Sequence, residues 1–200
     1  MSKRYGVMAL VVLSASGVVL VASGPDGPVT RADREQVLTA LRQRGAYLWS
    51  IANCMECHSP RDASGHFIPT MLMAGHPEKA PLPTWDASML TENVGSVADP
   101  TGTAFAGPWG VSVAPNLTPD KETGIGAMTP EQMIRSFREG KHWKEGRPIL
   151  RPMPVQNYAG MTDDDIRAIH AFLMSLPPVK NAAPASKAGD EPKAQAPGKK

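Results

Sequence analysis

The stretch Cys54-Met55-Glu56-Cys57-His58 decides how this chain is read. It holds both cysteines of a 200-residue sequence and one of its five histidines. A disulfide between cysteines so close in sequence closes almost no loop and stabilises little. A thioredoxin-like redox pair requires a strand before it and an α/β repeat around it, whereas the residues before Cys54 are helical in pattern. A structural zinc site needs four converging ligands, and adjacent Cys57 and His58 with no further cysteines fall short of that. A bland pair of core cysteines leaves His58 unexplained. The pattern C-x-x-C-H has a chemistry that uses all three residues. Thiols at this spacing reach the two vinyl-derived carbons on one side of a porphyrin, and the adjacent histidine is swung under the iron. Cys54 and Cys57 are therefore the expected thioether positions of a covalent haem c, with His58 as proximal axial ligand. One motif implies one haem.

Upstream of the motif, Val37, Leu38, Leu41, Ala46, Leu48 and Ile51 fall near helical spacing with no proline between them. This predicts a helix over Arg31–Ile51 that runs straight into Cys54. Further back, Lys3 and Arg4 precede an uncharged apolar stretch, residues 6–22, which Pro25, Gly27 and Pro28 cut off from the rest. Residues 1–24 are expected to be an export signal or an N-terminal membrane anchor, with cleavage and retention both open. Export agrees with the haem reading, because bacterial c-type haem is attached outside the cytoplasm. The expected location is the periplasm, with attachment to the inner membrane through residues 6–22 if the segment is retained.

Downstream, residues 59–128 are rich in proline and glycine, which number 20 and 18 in the whole chain. An ordered coil with a short strand or two near residues 111–113 is expected, because Phe67, Trp85, Phe105 and Trp109 are dispersed through it and need burial. Thr129-Pro130-Glu131-Gln132 predicts a helix start: Thr129 caps, Pro130 suits the first turn and Gln132 completes a capping box. Gly140 sits where that helix would stop. Thr162-Asp163-Asp164-Asp165 predicts a second start, followed by an apolar stripe through Ile166, Ile169, Phe172, Leu173 and Leu176. Pro177-Pro178 ends it. Residues 25–180 are expected to form one domain. Residues 181–200, dominated by Ala, Pro, Lys and Gly, are expected to be a flexible tail. The expected class is all-α: helices packed around one covalent haem, with long Pro/Gly-rich coil.

A second axial ligand must come from elsewhere. Met opposite His is common in small electron carriers, where it raises the potential. Among the 11 methionines, Met153 stands out in Arg151-Pro152-Met153-Pro154, outside any helix and stiffened by flanking prolines. Met161 and Met128 each precede a helix cap and are assigned to packing, while Met71 and Met73 in the coil remain open. A bis-histidine iron would draw on His66, His76, His142 or His170. His170 lies beside an apolar stripe, and His142 lies in a basic turn, where solvation is expected. Met153 is the expected distal ligand.

The succession helix, C-x-x-C-H, long coil, helix, Met loop, helix resembles a class I cytochrome c. More closely, the chain resembles single-haem relatives of the cytochrome subunits of periplasmic alcohol and aldehyde dehydrogenases. The stretches that carry the likeness are Arg44-Gly45-Ala46-Tyr47-Leu48, residues 54–61, residues 114–126 (APNLTPDKETGIG), Pro152-Met153-Pro154 and residues 161–179. The resemblance implies a cytochrome c-like fold and a His/Met haem carrying single electrons. It also implies redox protein partners: a dehydrogenase, an oxidase or another cytochrome. Many members carry three haem motifs on one chain, and this sequence carries one.

Trp85, Trp109 and Tyr158 are candidates to wall the haem, and Arg147 or Trp143 to bond a propionate. The formal net charge is +2, with no broad basic face, so nucleic-acid binding is not expected. No acid/base pair or nucleophile constellation stands out. The expected role is that of an electron carrier rather than an enzyme. The alternative is a haem-dependent redox enzyme, peroxidase-like, with an open or labile sixth site. Residues 135–151 are basic and lead into Met153, which suits a positive docking rim for acidic partners.

Overall fold

The computed structural model describes residues 30–92 and 94–189. The expected signal or anchor, residues 1–24, and residues 190–200 of the expected tail lie outside the described residues.

Helix α1, Arg31–Ile51, begins with a capping box in which Asp33 N–H donates to Thr30 Oγ1 (3.1 Å) and Thr30 N–H donates back to Asp33 Oδ2 (2.9 Å). Two orphan donors of the first turn are satisfied together. Helix α2, Cys54–His58, is the haem motif itself. Helix α3, Pro130–Glu139, has the expected capping box of Thr129 and Gln132, and it stops at Gly140, whose left-handed backbone (φ 65°) closes the last turn. A short α4, Val155–Tyr158, and then α5, Asp163–Leu173, follow; Thr162 caps α5 by accepting from Asp165 N–H.

The scaffold rests on α1 against α5. Gly45 makes their close approach feasible, since a Cβ there would lie 2.0 Å from the Ala168 carbonyl oxygen and 2.7 Å from Phe172 Cβ. Leu48, Ile166, Ile169 and Leu173 fill the seam, joined by Met73, Ile125 and Met133. Each such side chain contributes roughly 1.5–3 kcal/mol on burial. Trp49 and Phe172 stack obliquely beside them, with ring centroids 5.3 Å apart.

The expectation of an all-α class is corrected by a small antiparallel sheet of four strands in the order β1-β2-β3-β4. Its members are β1 Val97–Ala98, β2 Ala104–Gly107, β3 Gly110–Val113 and β4 Lys187–Ala188. The β2–β3 hairpin pairs Ala104 with Val113 and Gly107 with Gly110. Strand β4 then pairs Gly110 with Ala188. The hairpin lies within the expected coil, near the residues 111–113 read as a strand.

Strand β4 lies in the segment read as a flexible tail. Residues 181–189 instead run across the body, held by Asn181 at one end and by β4 at the other. Asn181 is buried; its amide donates to the carbonyls of Ala74 (2.7 Å) and His76 (2.8 Å), and its Oδ1 accepts from Glu78 N–H (3.0 Å). Further along, Ser186 Oγ accepts from Val113 N–H (2.9 Å). Among the described residues, no helix is long and apolar enough to cross a membrane.

Candidate haem site

The chain breaks between α1 and α2 at Asn53, which takes a left-handed conformation (φ 58°, ψ 32°). Asn is among the few non-glycine residues that tolerate it. The break frees the turn Cys54–His58 from the axis of α1. Both cysteines are free thiols and partly buried. Burial pushes the Cys54 thiol up to about 11, and burial followed by the Glu56 carboxylate raises that of Cys57. Both are therefore protonated thiols at neutral pH.

His58 is buried, and its Nδ1–H donates to the Pro115 carbonyl (3.0 Å). Burial lowers its pKa more than that bond raises it, so the ring is neutral. With the proton committed to Nδ1, Nε2 keeps its lone pair for a ligand. The loop crossing behind fixes Pro115 in place. Gly75 N–H donates to His58 O, His76 N–H to Ala114 O, and Leu117 N–H to Met73 O. Gly75 makes the crossing tight enough: its φ is +74°, and a Cβ would lie 2.4 Å from Ala114 O.

These residues open onto a cavity of about 470 Å³. Cys54, Cys57, His58 and Met153 all line it, so the four expected site residues are brought to one space. Met128, Met133 and Met161 also line it, but each is packed into the hydrophobic core around Ile166, whereas Met153 is not part of that cluster. Met73 is spent elsewhere: it is buried, and its sulfur accepts from Trp49 Nε1 (3.3 Å). The histidine alternatives also separate. Both ring nitrogens of buried His76 are engaged, with Thr103 Oγ1 (2.9 Å) and Ala80 O (3.2 Å). His170 Nε2 bonds Met128 O (2.9 Å), and His66 is exposed. His142, expected to be solvated, is partly buried and lines the cavity.

Of the expected walls, Tyr158 lines the cavity and donates from its hydroxyl to Ala52 O (2.7 Å), its pKa pushed up to about 12, chiefly by burial. Trp143 and Arg147 line it too. Trp85 instead donates to Val94 O (3.4 Å), and Trp109 packs over Gly107. Two wall elements were not foreseen. Trp49 lines the cavity from α1, and residues 183–186 close it from the C-terminal strap.

The donor set fits a covalently held haem. A neutral imidazole has one nitrogen committed and one free, two unpaired thiols stand on the same wall, and a thioether that the core does not use completes it. Fold and site together define a c-type cytochrome. The chain matches the family described as Cytochrome c over residues 43–177 and belongs to that family. It is similar to a nicotinate dehydrogenase subunit of Pseudomonas putida, 37% identical over 92 residues, which is 46% of this chain and 8% of that protein. It is 30% identical to the alcohol dehydrogenase (quinone) cytochrome c subunit of Gluconobacter oxydans, over 72% of this chain and 24% of the relative. It is also 30% identical to the gluconate 2-dehydrogenase cytochrome c subunit of Pantoea cypripedii, over 74% of this chain and 26% of the relative. The chain thus spans about a quarter or less of the length of these relatives. Its function class is haem-based electron transfer.

Proposed function

We propose that this chain is a single-haem c-type cytochrome that relays single electrons in the periplasm between a dehydrogenase and a respiratory acceptor. Cys54 and Cys57 would hold the haem as thioethers, and His58 and Met153 would ligate its iron. The observation that carries this reading is His58: a buried neutral imidazole, one nitrogen fixed by Pro115, beside two free thiols on the wall of a large apolar cavity. Bound there, haem c supplies a one-electron couple.

The protein's own residues do the rest. Pro115 orients the His58 ring and makes it a better donor. Pro152 and Pro154 stiffen the loop that presents Met153, so little reorganisation accompanies electron transfer. Ile169, Leu173 and the strap residues 183–186 exclude water. Arg138 is committed to structure, donating to Ala159 O, Met161 O and Asp163. Arg135, Lys144 and Arg151 are exposed and form a positive rim that steers an acidic partner. Similarity to cytochrome subunits of dehydrogenases supports a dehydrogenase as electron donor. Residues 6–22 carry the export signal, or a membrane anchor if they are retained.

The test is optical. A Met-ligated ferric haem gives a weak far-red band, and Met153→Ala should abolish it while leaving the haem attached. An unchanged band removes Met153 from the iron. Immediate carbon monoxide binding by the reduced wild-type protein would favour the peroxidase-like alternative with a labile sixth site.

A further inference from the structure

His142 holds a position that electron transfer alone leaves unused. With Ser136 and Trp143, it lines both the large cavity and a neighbouring side cavity of about 200 Å³. The Ser136 hydroxyl, on a residue only 7% exposed, finds no hydrogen-bond partner among the described residues. A buried hydroxyl is costly unless water or another polar group satisfies it. The side cavity is polar, lined also by Gln132, Arg135, Glu139 and Lys141, and has room for several waters at roughly 30 Å³ each.

The His142 ring is held in a defined state. Its backbone N–H donates to Arg147 O (2.8 Å), and its Nδ1 accepts from Glu145 N–H (3.4 Å), which places the neutral ring's proton on Nε2. Glu145 Oε2 lies 3.7 Å from the same Nδ1. A second proton, on Nδ1, would displace the Glu145 N–H contact and face a carboxylate oxygen that Arg147 Nε shares.

We propose that His142 is a redox-linked proton site, taking one proton from solvent through the side cavity as an electron arrives at the neighbouring haem and returning it on oxidation. This rests on the haem reading above. The redox partner supplies the electron, water in the side cavity supplies the proton, and the net charge of the site is unchanged. Linkage of this kind makes electron uptake easier in acid and lets the protein couple charge movement to proton movement.

The groups facing His142 set the working range. Burial lowers its pKa below the usual histidine value, Glu145 raises it, and Arg147 and Lys144 lower it. Across the side cavity stand Arg135 and Glu139 of α3, with Lys141 just beyond its end, and Glu56 also lines the large cavity. An added electron nearby favours the protonated ring and raises its pKa. Between the oxidised-state and reduced-state values, one proton follows each electron. The potential then falls as pH rises, approaching ~59 mV for each tenfold change in proton concentration, the one-electron conversion.

The experiment measures the midpoint potential of the holoprotein by spectroelectrochemistry from about pH 4 to about pH 9, a range spanning both sides of the usual histidine value. The wild type should show a sloping window that His142→Gln abolishes. In parallel, the ring signals of His142 in the wild-type protein, followed by NMR, should titrate at higher pH in the reduced than in the oxidised state. This needs no variant to fold. A slope that survives in His142→Gln assigns the proton to another group, such as a haem carboxylate, and overturns the proposal. Identical titration of His142 in both states overturns it as well. A protein that carries no haem at Cys54 and Cys57 refutes the underlying reading instead; a haem-bearing protein with a flat profile refutes this proposal alone.

Discussion

Replacing Asn181 by Ala tests whether the C-terminal strap is part of the fold. The side chain joins three backbone groups that sit far from it in sequence: the carbonyls of Ala74 and His76 and the N–H of Glu78. A buried hydrogen bond nets about 1 kcal/mol, so losing three costs about 3 kcal/mol, more if the abandoned carbonyls stay dry. With a urea slope of about 2 kcal/mol per molar, that moves the unfolding midpoint down by about 1.5 M. Holoprotein unfolding followed by far-UV circular dichroism reads this directly. Asn181→Asp should fare worse still, because it faces the two carbonyls with a carboxylate. Lys180→Ala, next door on an exposed ion pair with Glu122, should leave the midpoint unmoved. If Asn181→Ala lies within about 0.5 kcal/mol of wild type, in the range of ordinary surface substitutions, the strap is not the anchored element described here.

Gly75→Ala should strain a left-handed residue and drive a methyl against Ala114 O, loosening Pro115 from His58; haem content per purified chain should fall. Ile166→Ala at the centre of the α1–α5 seam should cost about 2–5 kcal/mol in the same urea titration. Asp99 is buried; burial alone raises its pKa, but its hydrogen bonds from Thr101, Ala104 and Thr103 outweigh that and hold it below the usual carboxylate value. A depressed folded-state pKa gives stability that is present above the unfolded value near 3.9 and lost as pH falls through the folded value. Asp99→Asn should therefore unfold at lower urea at neutral pH, and its midpoint should decline less than that of wild type on acidification below about pH 4.

The parts of this molecule written in local sequence were legible. Thr129-Pro130-Glu131-Gln132 encodes its own helix start, because cap and capping-box partner lie three residues apart and need nothing distant. The same holds for Thr162 with Asp165, and for the cysteine spacing that brings Cys54, Cys57 and His58 to one wall. The sheet was less legible because its strands are two to four residues long, and β2, Ala-Phe-Ala-Gly, lacks the β-branched residues that mark a strand. Strand β4 answers β3 from the far end of the chain, and composition alone reads such a Lys/Ala/Pro segment as unfolded. Its one clue was Asn181, a lone amide among small residues, whose partners at residues 74–78 no local rule can find. His142 was misjudged for the same reason. Lys141, Lys144 and Glu145 around it are charged, yet tertiary packing turns it to the cavity wall.

The central claim concerns Cys54 and Cys57, and intact and peptide mass spectrometry of the protein matured alongside a c-type haem attachment system addresses it most directly. The expected result is the added mass of one haem, located on the peptide that contains both cysteines. Recovery of that peptide with two free thiols, from cells that mature other c-type cytochromes normally, would contradict the account.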